Sequence, residues 1–108
     1  MTKISFSEMK RTVKQAFLNA GLSEKQADIC AQIHTETSCD GIFSHGLNRV
    51  ARFVDYVNKG WVDIQAEPEL IKSLASMEIY DGCRGIGITN ALFATERAMA
   101  LAKEYGVG

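Results

Sequence analysis

Residues 40–52 read Asp-Gly-Ile-Phe-Ser-His-Gly-Leu-Asn-Arg-Val-Ala-Arg. The 108-residue chain has only two histidines, His34 and His45, and the second stands between a serine and a glycine with Arg49 and Arg52 after it. An α-helix from about His45 to Lys59, capped by Ser44 and stopped at Gly60, would gather these groups. At about 100° per residue, with His45 at zero, Arg49 falls near 40°, Arg52 near −20° and Tyr56 near 20°. Leu47, Val50, Val54 and Val57 fall on the opposite face, between about 120° and 200°. An imidazole, two guanidiniums and a phenol would then share one polar stripe.

That stripe suggests a reaction. The first turn of a helix disfavours a cation, so a histidine there is expected to rest uncharged and still be able to give a proton to a carbonyl oxygen. Arg49 lies one turn on, and helical side chains lean toward the N-terminus, so its guanidinium can reach back beside the ring. A guanidinium binds a carboxylate through two parallel hydrogen bonds. Gly46 is expected to leave the backbone beside His45 open to a ligand. A proton donor beside a carboxylate clamp suits a 2-keto acid, whose ketone and acid are on neighbouring carbons; the hydride would come from a nicotinamide. The same pattern also fits a solvated helix face, with Ser44 merely capping the helix.

The elements that must position these residues are legible in outline. Ser5 with Glu8 and Ser23 with Gln26 are capping-box pairs, predicting helices over about Ser7–Ala20 and Glu24–Cys39. Met9, Val13, Phe17 and Ala20 form the apolar stripe of the first; Ala27, Cys30, Ala31 and His34 that of the second. Gly21 and Asp40-Gly41 are stops. Runs at Leu70–Leu74 and Met77–Tyr80, bounded by Pro68, Ala75-Ser76 and Asp81-Gly82, predict a hairpin. A last helix to about Tyr105 is expected to use Ala91, Ala94 or Thr95, Ala98 and Leu101 or Ala102 as its stripe. The fold class is mixed α/β: a helical region over about 1–60, then the start of a sheet-containing region over 61–108. Gly106-Val107-Gly108, a glycine stop followed by an apolar restart, reads as a chain that continues.

Composition narrows the function. Twelve basic and thirteen acidic residues give a net charge of −1, without the basic footprint of a nucleic-acid or anionic-membrane protein. No apolar run approaches the roughly 20 residues that span a bilayer. The N-terminus lacks a signal core, and three unclustered cysteines fit a reducing cytoplasm.

The order Asp40-Gly41, Ser44-His45-Gly46 with Arg49, the tract Pro68–Leu74, Asp81-Gly82 with Gly85 and Gly87, and Tyr105-Gly106-Val107-Gly108 resembles the malate/L-lactate/sulfolactate dehydrogenase family, which is unrelated to the Rossmann-fold lactate dehydrogenases. The resemblance implies an NAD- or NADP-dependent oxidoreductase that interconverts 2-keto and 2-hydroxy acids, usually as a homodimer. It implies that His45 donates the proton and that Arg49 binds the substrate acid, with Ser44 in a positioning role. Most cofactor contacts would lie beyond Gly108. No metal is implied.

Other readings stay open. The first three helices could form a helix-turn-helix-like binding module, or the chain could be a structural or dimerising piece. Gly82–Gly87 could cradle a phosphate but lacks both the P-loop lysine and the third glycine of the dinucleotide fingerprint, so a tight strand-to-helix turn is the simpler reading. Cys30, His34, Glu36 and Cys39 carry no metal-binding spacing, and His34 reads as a packing or hydrogen-bonding residue. Glu67 and Glu69 around Pro68 read as loop solubilisers.

Overall fold

The computed structural model describes residues 3–108. They form two compact units, one up to Trp61 and one from Val62 onward. Helix α1 spans Phe6–Asn19, and Ser5 Oγ accepts the Glu8 amide at 3.3 Å. Val13 and Phe17, one turn apart, are its buried residues. Gly21, at φ +104°, turns the chain left-handed, and the Leu22 amide returns to the Phe17 carbonyl at 3.1 Å. Leu22 is thereby folded into the core beside the helix it has just left.

Helix α2 spans Glu24–Cys39, as the caps predict. Both halves of its capping box form: the Gln26 amide donates to Ser23 Oγ at 3.1 Å, and the Ser23 amide to Gln26 Oε1 at 3.0 Å. Ala27 and Ala31 are fully buried, and such small residues let helices approach closely. Phe17 is fully buried as well, and burying such a ring contributes about 3 kcal/mol.

Residues 43–49 depart from the predicted helix. Phe43–His45 and Leu47–Arg49 are two short 3₁₀ turns, with Gly46 between them at φ −95°, ψ −124°. Helix α3 begins only at Val50 and runs Val50–Asn58. Gly46 breaks the helix because its backbone is bound to α2. The Leu47 amide donates to Ser38 Oγ at 2.8 Å, and His34 Nδ1 lies 3.2 Å from the Gly46 carbonyl oxygen. A Cβ on Gly46 would stand 2.0 Å from Ser38 Oγ and 2.8 Å from the Ser38 backbone nitrogen. Further along, Phe53 of α3 meets Phe17 edge-on at 5.6 Å.

In the second unit β1 (Glu69–Leu74) and β2 (Met77–Asp81) pair antiparallel, with Leu70 opposite Tyr80 and Lys72 opposite Ile79. Ile71 is the extra residue of a bulge between them. Helix α4 spans Gly87–Tyr105 and ends at Gly106, at φ +83°. Of the stripe expected from sequence Leu101 is buried and Ala98 half-buried, but Ala91, Ala94 and Thr95 are exposed. Phe93 and Arg97, spaced with Leu101 four apart, complete the packed face in their place. Phe93 meets Tyr80 edge-on at 4.9 Å, and Arg97 forks onto Glu78 at 2.9 and 2.6 Å. Sequence periodicity excludes an arginine from an apolar stripe; the carboxylate opposite it reverses that. No helix among the described residues is long and apolar enough to cross a membrane.

Two predictions follow from these contacts. Gly46→Ala should destabilise the first unit by about 1–3 kcal/mol, because Ser38 can rotate its hydroxyl away but not its backbone; a lower urea midpoint reports it, and an unchanged one would refute the tight docking. Glu78 is held at about 2 by its hydrogen bonds from Arg97 and then Tyr80. A depressed carboxyl adds stability above its unfolded pKa, near 4.5, and loses it as pH falls toward 2. The stability gap between the native protein and Arg97→Met should therefore close across that window, and a gap constant from pH 6 to 2.5 would contradict it.

Candidate active site

Ser44 and His45 occupy the first 3₁₀ turn, and both are exposed. Ser44 makes no capping hydrogen bond. Its hydroxyl instead lies 2.9 Å from His45 Nδ1. Among the described residues nothing bonds His45 Nε2. Because His45 precedes the break at Gly46, it is not in the first turn of α3, and the helix-terminal field expected from sequence does not act on it. The shared stripe is broken for the same reason: Arg52 is exposed on α3, and Tyr56 stacks at 5.1 Å on Trp61.

Arg49 does reach back toward the histidine. Its Nε donates to the Ser44 carbonyl at 2.8 Å. The terminal guanidinium nitrogens bond nothing among the described residues and remain free to take a carboxylate. Both functional ends are thus held by one residue, Ser44: the imidazole through its hydroxyl, the guanidinium through its carbonyl.

Gly46 plays a different part from the one expected. It is buried against Ser38 and does not open the backbone to a ligand. The groups beneath the turn, His34 and Ser38, are one helical turn apart on α2, and that spacing is the signal by which sequence reasoning could have paired them with the glycine. His34 is buried, its ring centre 5.7 Å from that of Phe17, and burial pushes its pKa down. A cleft of about 340 Å³ lies alongside, lined by Ile4, Phe6, Met9, Thr35, Phe43 and Leu47 among others, but not by His45 or Arg49.

The remaining candidates separate. Cys30 is buried and its thiol is pushed up to about 11 by desolvation, which makes it unreactive. Glu36 is engaged by Gln32, and Cys39 is exposed. Among the described residues no three His, Cys, Asp or Glu side chains converge as a metal site. In the second unit, Gly82–Gly87 is a packed turn. A Cβ on Gly85 would stand 3.1 and 3.2 Å from the carbonyl oxygens of Gly82 and Ala66. The Gly85 amide closes the turn onto the Gly82 carbonyl at 2.9 Å, and Asn90 Nδ2 donates to the same oxygen at 3.1 Å. Glu67 and Glu69 border an open hollow with Asp63 and Cys83.

The chain is similar to known proteins. The 2,3-diketo-L-gulonate reductase of Klebsiella pneumoniae is 37% identical over 106 residues, 98% of this chain and 32% of that protein. That of Shigella boydii is 34% identical over the same shares. The chain thus spans about a third of the length of these relatives. The malate dehydrogenase of Pyrococcus horikoshii superposes with a TM-score of 0.92 at 24% identity, over 97% of this chain and 30% of that one, a likeness of fold. The malate dehydrogenase of Entamoeba histolytica does so at 0.87 and 25% identity, over 96% and 29%. The malate/L-lactate dehydrogenase family matches residues 4–108, and the chain belongs to that family.

Proposed function

We propose that this chain supplies the proton donor and the acid-binding group of a 2-keto acid reductase, acting on 2,3-diketo-L-gulonate or a similar sugar acid. The observation that carries the reading is that Ser44 holds both Arg49 and His45 while leaving the guanidinium end and Nε2 uncommitted. The family and the reductase relatives support the reaction class. The helix-turn-helix alternative draws no support from them.

In the reductive direction the carboxylate takes the two terminal nitrogens of Arg49 in a fork. The neighbouring ketone oxygen then faces His45 Nε2. As carbon accepts hydride, negative charge grows on that oxygen, and Nε2–H delivers its proton there. Ser44 keeps the ring from turning away. The hydride would come from NADH or NADPH. A cytoplasmic homodimer is the setting we infer; the three free cysteines accord with a reducing compartment.

In the full-length protein, His45→Gln should lower kcat with a competent keto acid by about a hundredfold or more and move KM little. Turnover at the native rate would remove His45 from the mechanism. Arg49→Lys should raise KM for the keto acid about tenfold, because an ammonium lacks the planar fork. An unchanged KM would take the clamp away from Arg49.

A further inference from the structure

We propose that His34, buried beneath the turn and outside the reacting groups, is a positioning residue that fixes His45 and Arg49 relative to each other through the Gly46 carbonyl. This deepens the reading above and rests on it.

The Gly46 carbonyl is a junction. It accepts His34 Nδ1–H at 3.2 Å and the Arg49 amide at 3.0 Å, and it belongs to the residue that directly follows His45. The backbone of His45 also lies against the His34 ring. The Gly46–Leu47 peptide is held at both ends: its carbonyl by His34, its N–H by Ser38 Oγ at 2.8 Å. Both partners come from α2, whose start is fixed by its capping box. With that peptide plane fixed, the direction in which the chain leaves His45 and enters Arg49 is fixed too.

The chemistry of the contact assigns the tautomer. A carbonyl only accepts, so Nδ1 of His34 carries the proton and the neutral ring has a bare Nε2. Phe17 packs beside the ring, centre to centre at 5.7 Å. His34 is one of the two buried polar side chains among the described residues, the other being Thr35. A leucine of similar size would suit the burial and lose only the donor. The Gly46 carbonyl would keep the Arg49 amide, so no buried acceptor is left unpartnered and the variant should fold.

Two substitutions in the full-length protein separate positioning from packing. His34→Leu removes the donor; His34→Asn keeps an N–H at the same branch of the side chain. We expect His34→Leu to lower kcat/KM roughly ten- to hundredfold, the scale of a small misplacement of reacting groups, and His34→Asn to recover most of it. Combined with His45→Gln, His34→Leu should lower kcat no further, because it acts through the ring that is gone. Equal kcat/KM in the native protein and His34→Leu, or equal losses in the Leu and Asn variants, would overturn the proposal. A readout free of turnover accompanies these. Long-range ¹H–¹⁵N spectra should show His34 protonated at Nδ1, and His34→Leu should shift the His45 ring signals and speed exchange of the Arg49 amide. A proton on Nε2 of His34, or an unmoved His45 ring, sinks the positioning role whatever His45→Gln does to turnover; a native rate in His45→Gln alone sinks the functional reading instead.

Discussion

The turn that carries Ser44, His45 and Arg49 is docked onto α2 through one peptide, Gly46–Leu47. Its two hydrogen bonds go to side chains one turn apart on that helix. They form because Gly46 has no side chain to hold the strands of backbone apart, and because α2 is itself set in place by its capping box and by packing on α1 around Phe17. Remove any of these supports and Ser44, His45 and Arg49 lose their common reference.

The same docking explains why residues 43–49 are not α-helical. Continuing α3 back to His45 would turn the Gly46 carbonyl and the Leu47 amide along the helix axis. The bonds to α2 draw them sideways instead, and the backbone answers with two single 3₁₀ turns, the short form a chain adopts when a longer helix is interrupted. Ser44 gives up its capping role as a result. Freed from the helix, its hydroxyl meets the imidazole and its carbonyl meets Arg49.

What the sequence revealed and what it concealed follows from the range of the forces. Both ends of α2, the position of α1 to within a residue and the hairpin with its Ala75-Ser76 turn were legible, because caps, glycine stops and alternation act within a few residues. The reach of Arg49 toward the histidine turn was legible for the same reason. The break at Gly46 was not, since its cause lies on another helix, at His34 and Ser38. Nor was the packed face of α4 beyond Leu101: Arg97 belongs to it only because Glu78 waits across the unit, and a wheel drawn from hydropathy alone assigns the arginine to water.

The two histidines show how one residue type takes two roles from the partner of a single nitrogen. Each commits Nδ1. His34 meets a carbonyl, which can only accept, so its proton is fixed and its ring serves as a clamp. His45 meets a hydroxyl, which can donate or accept. When the ring is protonated, Nδ1–H donates to Ser44 Oγ; when the neutral ring carries its proton on Nε2, the Ser44 hydroxyl turns and donates to Nδ1. The bond that orients the ring therefore survives in either state. A ring held in that way can change its protonation at Nε2 without losing its aim. Burial separates them further, since His34 is enclosed while His45 stands open to whatever approaches Arg49.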